Sequence, residues 1–411
     1  ELPDPISKAT WDNYACISQK TASDLNLKQE DVVKVEVKGK GSVEVPVLVQ
    51  PGLAHNTVAI AIGYGRTKAG KSADGVGVNV FPMASAYAQE ATVTATGETR
   101  RLAQTQTHQT VMGRTAVLQE AYLADFQKKR DAGKHEVLIH TSEGLKTPTQ
   151  ITLWNGHERK NHAWGMVVDL NTCTGCAACV VSCHAENNVP VVGRKEVIMS
   201  REMHWIRIDR YYEHSNLDNP NVTLQPMLCQ HCESAPCENV CPVAATTHSP
   251  EGLNEMTYNR CVGTKYCANN CPYKVRRFNW FNFHKGKRTP TEFVYNPDVT
   301  MRMRGVMEKC SFCTQRITEA RQKTKDAGEL YIADGSFQTA CQQACPAGAI
   351  TFGNTNNPES VVSKSRKSER GFLVLEELNV RPQITYLAKV RNQEAKHGAE
   401  HGKEHSEEKH G

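Results

Sequence analysis

Cysteine aside, the sequence has no uninterrupted apolar run longer than five residues, Val58-Ala59-Ile60-Ala61-Ile62 being one, far short of the ~20 residues needed to cross a bilayer. A chain of this kind does not span a membrane by itself. It also lacks an excess of one charge: 49 Lys and Arg face 44 Asp and Glu, a net +5, too balanced for a surface that grips nucleic acid or anionic lipid throughout. Any basic partner site is local. Missing too from the opening Glu1-Leu2-Pro3-Asp4-Pro5 are a methionine, a basic segment and an apolar stretch, so a signal peptide is either absent or removed along with upstream sequence. Apolar residues, at 39%, fall slightly below the ~45–50% of globular domains, which leaves a modest core and excludes wholesale disorder. Cysteine is nearly missing from the first 172 residues, where Cys16 stands alone; the other fifteen lie between Cys173 and Cys345.

That distribution divides a chain of 411 residues, long enough for two or three domains. Before the cysteines, Val32-Val33-Lys34-Val35-Glu36-Val37, Val43-Glu44-Val45-Pro46-Val47-Leu48-Val49 and Val58–Ile62 alternate or run apolar between Gly, Pro and Asn turns, which predicts a β-barrel-like unit over 1–125. Val117, Leu118, Ala121, Tyr122, Ala124 and Phe126 have helical spacing within 116–132. Residues 126–162 read as a polar linker, 163–355 as the cysteine-rich domain and 356–390 as a mixed extension. The stretch 391–411, built of Lys, His, Gly and Glu, has no apolar periodicity and is expected to be disordered. The fold class is α+β.

The cysteines form four bunches: Cys173-x2-Cys176-x2-Cys179-x3-Cys183, Cys229-x2-Cys232-x4-Cys237-x3-Cys241-Pro242, Cys261-x5-Cys267-x3-Cys271-Pro272, and Cys310-x2-Cys313 followed after twenty-seven residues by Cys341-x3-Cys345-Pro346. Three thiolates of one tight loop can take three irons of a cubane, but the same loop cannot reach its far corner, so the fourth cysteine of a bunch ligates a neighbouring cluster. Bunches therefore work in pairs, as in a duplicated two-cluster ferredoxin unit. Nested pairing is the simpler geometry. It places a first [4Fe–4S] cluster on Cys173, Cys176, Cys179 and Cys345, a second on Cys310, Cys313, Cys341 and Cys183, and a third on Cys229, Cys232, Cys237 and Cys271. The fourth site keeps Cys261, Cys267 and Cys241, with Thr264 where the pattern asks for a fourth thiol. Thr is a poor iron ligand, so a [3Fe–4S] cluster is expected there; a four-iron cluster completed by hydroxide or water is the alternative.

Other uses of cysteine explain the pattern less well. Disulfides give no reason for a cysteine every third residue with proline closing three of four bunches. Structural zinc prefers two separated C-x2-C pairs, whereas the first bunch crowds four thiols into eleven residues. Cysteines buried as small hydrophobes do not produce regular spacing.

Cys261-Val-Gly-Thr-Lys-Tyr-Cys-Ala-Asn-Asn-Cys-Pro-Tyr-Lys-Val-Arg-Arg-Phe-Asn-Trp280 and Met227-Leu-Cys-Gln-His-Cys-Glu-Ser-Ala-Pro-Cys-Glu-Asn-Val-Cys-Pro242 resemble the four-cluster ferredoxin subunits that serve molybdopterin oxidoreductases and polysulfide-reductase-like complexes. Thr21-Ala-Ser-Asp-Leu, Gln50-Pro-Gly-Leu-Ala-His and Gly63-Tyr-Gly-Arg66 resemble the C-terminal molybdopterin-dinucleotide-binding barrel of such enzymes. A barrel of that type fused ahead of four clusters is similar to the large iron–sulfur subunit of alternative complex III, a bacterial quinol:cytochrome c oxidoreductase. The resemblance implies a peripheral subunit on the periplasmic face of the inner membrane. It implies as partners an integral quinol-binding subunit of the polysulfide-reductase type and a multihaem cytochrome c, with no molybdenum cofactor, and it suggests that further molybdopterin-type domains precede Glu1.

Weaker signals have simpler explanations. Gly65-Arg-Thr-Lys-Ala-Gly70-Lys71-Ser72 satisfies a phosphate-loop string, but the Gly-rich and β-branched residues that follow do not make the helix N-terminus it requires. The run Lys274–Arg288 alternates bases with Tyr273, Phe278, Trp280, Phe281 and Phe283, a composition that also binds nucleic acid. Starting so close to Cys271, it more simply wraps a cluster, excluding water and offsetting negative charge; no nucleic-acid partner is expected. Cys16 reads as a buried structural thiol, and His397, His401, His405 and His410 as part of a solvated tail. With no general base, nucleophile or open metal site, the chain reads as a non-catalytic electron-transfer subunit that relays electrons from a quinol-oxidising subunit toward c-type haem. The rival functions are the same relay in a molybdopterin reductase of polysulfide, dimethyl sulfoxide or nitrate, and a non-redox zinc scaffold.

Overall fold

Alternating valines lay down the first sheet. In Asp31–Val37 the side chains of Val33, Val35 and Val37 are buried while Lys34 and Glu36 face solvent, the period of two that a half-buried strand demands. Gly39 and Gly41, both at positive φ (77° and 97°), turn the chain into Gly41–Val49, which pairs antiparallel with it. Five strands result, in the spatial order Val58–Ala59, Ala15–Ile17, Gly41–Val49, Asp31–Val37, Thr92–Thr99. Its core is Ala15, Ile17, Ala22, Leu27, Val33, Val35, Val45 and Val47. In the computed structural model, which describes residues 1–392 apart from 71, 85–87, 153–155, 214–215 and 285–290, the two outer strands do not pair, so the sheet is open and no barrel closes among the described residues.

Two expected elements differ. Of the apolar run Val58–Ile62 only Val58–Ala59 pairs in the sheet; Ala61 instead offers its carbonyl to Asn13. Within 116–132 the helix is confined to Leu123–Lys128, and Glu120–Tyr122 is a strand parallel to Lys389–Arg391. Arg391 fixes that pairing by donating to both oxygens of Glu120 (2.9 and 3.0 Å).

The cysteine-rich region is organised by a second sheet of four strands in the order Ile350–Asn354, Trp164–Asp169, Ile384–Leu387, Gly371–Phe372. Trp164–Val168 is buried on both faces, with Ile384–Leu387 running parallel beside it. Other strands form short hairpins, among them Arg207–Tyr212 with Val222–Met227. The first unit docks on that hairpin: Gln106 and Arg210 exchange two hydrogen bonds of 2.8 Å, Arg210 Nε donates to the Ile6 carbonyl, and Lys8 Nζ to that of Ile208. Among the described residues no helix is long and apolar enough to cross a membrane. The histidines of the tail, Lys71 of the phosphate-loop string and the end of the basic-aromatic run fall outside the described residues.

Candidate metal centres

Each bunch repeats one local geometry. The second residue after the leading cysteine sits in the left-handed region in all four: Gly175 (φ 69°), His231 (44°), Gly263 (74°) and Phe312 (53°). Such turns curl backbone N–H groups into a concavity suited to anions. Glycine is required at two of them, because a Cβ at Gly175 would lie 2.2 Å from Leu224 Cδ1 and one at Gly263 2.5 Å from the Gly305 carbonyl oxygen. At the other two the side chains fill space between loops, and the His231 and Phe312 rings stack with centroids 3.9 Å apart. The third cysteine of each bunch, or the second where Thr264 replaces one, rides a short helix: Cys179 in Ala178–Glu186, Cys237 in Pro236–Asn239, Cys267 in Tyr266–Asn269 and Cys341 in Ala340–Gln343.

The Cys-Pro ends repeat as well. Three residues after Cys241, Cys271 and Cys345 come Ala244, Lys274 and Gly348, all at positive φ. This bend returns the following N–H to the sulfur: Ala245 donates to Cys241 Sγ (3.2 Å) and Ala349 to Cys345 Sγ (3.3 Å), and the Val275 N–H bonds Cys271.

The bunches assemble into four thiol groups. Cys179 neighbours Cys173, Cys176 and Cys345, and also Cys341. Cys183 neighbours Cys310, Cys313 and Cys341, while Cys232 neighbours Cys229, Cys271 and Cys237. Cys241, Cys261 and Cys267 line one cavity together with Thr264. Electrostatic coupling between groups gives their order: Cys341 acts on Cys179, joining the second to the first, Cys229 acts on Cys310, joining the third to the second, and Arg276 is coupled to Cys237 of the third and Cys267 of the fourth. The middle groups are wholly buried. In the first group Cys176 is exposed and Cys173 and Cys345 are half-buried, and in the fourth Cys241 and Cys261 are half-buried. Thr264, also exposed, occupies in its loop the place that Cys176 has in the first.

Electrostatics shows what such groups need. Burial pushes the Cys183 thiol well above its ordinary range, and the sulfurs of Cys310, Cys313 and Cys341 push it further. For Cys313 burial and Cys341 raise it to about 12, and for Cys237 burial, offset by Arg276, leaves it at about 11. Clustered buried thiols become thiolates when multiply charged metal balances them, and the donor set, all sulfur with N–H groups aimed at it, fits iron–sulfur cages. Cys241 goes the other way: burial raises it, but the N–H groups of Val243, Ala245 and Thr246 outweigh that and hold it below the usual thiol range. Among the described residues no three His, Cys, Asp or Glu side chains converge as ligands of one ion would; the thiols are grouped without meeting at a point. Cys16, outside every group, is buried in the strand Ala15–Ile17 and pushed up to about 12, chiefly by burial.

The sequence left the second layer unread. Asn187 Nδ2 reaches Cys183 Sγ at 3.5 Å, and Thr339 Oγ1 lies 3.3 Å from Cys341 Sγ. The basic-aromatic run divides: Tyr273, Arg276 and Arg277 turn inward, whereas Trp280 and Phe281 are exposed. Lys309, fully buried, gives its ammonium to the Cys310 carbonyl. Only the run itself was a signal for any of these.

Comparison with known proteins agrees with this chemistry. Models of a 4Fe–4S dicluster domain match residues 172–245 and 220–289. The iron–sulfur cluster-binding subunit of menaquinone reductase from Nitratidesulfovibrio vulgaris is 39% identical over 237 residues, spanning 55% of this chain and 89% of the relative. Iron–sulfur subunit 1 of the Hdr-like menaquinol oxidoreductase of Archaeoglobus fulgidus is 34% identical over 245 residues, 56% of this chain and 84% of its own. A selenate reductase subunit of Mesobacillus selenatarsenatis is 30% identical over 238 residues, 54% and 71% respectively. The chain binds iron–sulfur clusters, and it belongs to the family of 4Fe–4S dicluster iron–sulfur subunits that transfer electrons within oxidoreductase complexes.

Proposed function

We propose that the first, second and third thiol groups each hold a [4Fe–4S] cluster and that the fourth, on Cys261, Cys267 and Cys241 beside Thr264, holds a [3Fe–4S] cluster. Clusters bound there supply one-electron exchange at potentials set by their surroundings. The chain's own part is to fix the sulfurs, exclude water from the two middle groups and leave one group accessible at either end. The observation that carries the reading is this order, two sealed groups between two open ones.

The exposed rim of the fourth group mixes Val262, Tyr266 and Trp280 with Lys265, whose ammonium lies 4.2 Å from the Trp280 ring centroid. Amphipathic rings and cations of this kind suit a membrane headgroup layer, so we assign this end to an integral quinol-binding subunit. The open first group then faces the other redox partner, a multihaem cytochrome c, in a periplasmic quinol:cytochrome c oxidoreductase of the alternative complex III type. In this reading 1–125 is a molybdopterin-oxidoreductase-like domain without molybdenum, 126–162 a linker, 163–355 the four-cluster domain, 356–390 its extension and 391–411 a tail.

The likeness to a selenate reductase subunit favours a second reading, the same relay serving a molybdopterin reductase. Metal and cofactor analysis of the native assembly decides. Iron with acid-labile sulfide and c-type haem, without molybdenum, is the expected composition. Molybdenum without haem selects the second reading, and zinc without iron or sulfide ends both. An oxidised sample with no three-iron EPR signal removes the incomplete cluster at Thr264.

A further inference from the structure

Arg276 differs from its neighbours in pairing with no carboxylate among the described residues. Arg302 pairs with Glu308 at 2.9 Å, both fully buried; Arg277 pairs with Glu202 at 3.0 Å and Arg207 with Asp209 at 2.7 Å. Arg276 is equally enclosed, only 6% exposed. Its guanidinium donates to the Thr246 hydroxyl (2.7 Å), the Met256 sulfur (3.3 Å) and Asn254 Oδ1 (3.4 Å), all neutral, and its Nε has no partner among the described residues. A guanidinium does not lose its proton in a protein, and burying one without a counter-charge is unfavourable.

The partners show where that counter-charge sits. Thr246 belongs to the loop whose N–H groups bond Cys241 of the fourth site, and Asn254 Oδ1 lies 3.9 Å from Cys237 Sγ of the third. The cation is held between two thiol groups, facing Cys237, Cys267, Cys229 and Cys271. We infer that Arg276 is a positioning residue that raises the reduction potentials of the third and fourth sites together, and so keeps that end of the relay receptive to electrons. Reduction adds one negative charge to a site, and a fixed neighbouring cation in a poorly screened interior stabilises the more negative state.

This inference rests on cluster loading of those sites, and the experiment separates the two. The wild-type chain in its complex is first analysed for iron and sulfide; their absence overturns the loading itself. EPR-monitored redox titration then compares wild type with Arg276→Gln, Arg276→Lys and Asn254→Asp. Arg276→Gln is expected to lower the third and fourth sites by at least tenfold in the reduction equilibrium, about 59 mV for a one-electron couple, leaving the first unmoved. Arg276→Lys restores most of the shift. Asn254→Asp, which sets a carboxylate on the retained guanidinium, lowers the same two sites should Arg276→Gln fail to keep its iron. Potentials unmoved in the loaded variants overturn the inference, as does a shift spread equally over all four sites. Loss of iron from Arg276→Lys as well as Arg276→Gln also overturns it, marking a structural role only.

Discussion

The open sheet of the first hundred residues and the cysteine-rich region bury their interiors by opposite means. The sheet packs hydrocarbon on hydrocarbon: Ile17, Val33, Val35, Val45 and Val47 come from strands up to nine residues long and need no other chemistry. In the cysteine-rich core, Cys179, Cys183, Cys229, Cys232, Cys237, Cys267, Cys271, Cys310 and Cys341 are themselves core members, and three of the four helices that carry cysteines are four residues long. Helices so short do not hold in water without tertiary support. One region is stabilised by its own side chains, the other by what its side chains bind.

The strongest way to break that contrast is to remove iron. Anaerobic chelation is expected to release the region from Trp164 to Leu387 while the sheet of Ala15–Ile17, Asp31–Val37 and Gly41–Val49 stays folded, because binding free energy at such sites is folding free energy. Hydrogen exchange measured peptide by peptide reads it directly. Retained protection across Trp164–Asp169 in iron-free protein would show that the second sheet stands on its packing alone.

Single-residue truncation sharpens the contrast. Phe312 is buried, stacks on His231 and meets Phe352 edge-on at 5.1 Å, so Phe312→Ala is expected to cost about 3–5 kcal/mol and to lower iron retention. Val33→Ala in the first sheet removes two methyl groups from a fully buried site, a loss of about 2 kcal/mol, with iron content unchanged. Calorimetry with iron analysis of both variants checks the pair; equal iron loss would mean that the two regions unfold as one.

How much of this was legible in the sequence follows from the range of each signal. Cysteine spacing is local, so the loops, the proline-closed ends and the threonine in place of a cysteine at position 264 could be read directly. The strand Ile384–Leu387 could not: Ile-Thr-Tyr-Leu is buried at every position, and with no alternation it leaves no period to find. The helix expected over 116–132 failed because apolar residues of a short strand followed by a short helix mimic helical spacing. Arg276 and Trp280 look alike in a basic-aromatic run, and only the backbone path sends one inward and the other out.

Thr264→Cys compares sites within the cysteine-rich region. The residue is exposed and occupies the corner that Cys176 has in the first site, so a thiol there completes the set without disturbing the core. The expected outcome is one additional iron per chain and loss of the three-iron EPR signal, with thermal unfolding unchanged. A three-iron signal that persists in the variant would mean that a thiol at this corner does not capture a fourth iron; absence of that signal from wild type and variant alike would mean that the fourth iron is already present, held by hydroxide or water.

The smallest effect tests the seam between the regions. Lys8 is buried there, its ammonium bonded to the Ile208 carbonyl, and burial lowers it to about 8, against the opposing pull of Asp209 and Asp4 and with a further push from Arg210. An unfolded chain holds this lysine at about 10.4, so between those values the unfolded state binds more protons and stability rises with pH. Below about pH 8 both states are protonated and the penalty of burying the charge is present in full; above ~10.4 both are neutral and it vanishes. One proton allows at most about 1.4 kcal/mol per pH unit. Lys8→Met removes the titration, so the difference in unfolding free energy between wild type and variant should climb from pH 8 to 10.4 and be flat on either side. A flat difference throughout would mean that the seam opens enough to hydrate Lys8, and that the two regions are docked less tightly than their shared hydrogen bonds suggest.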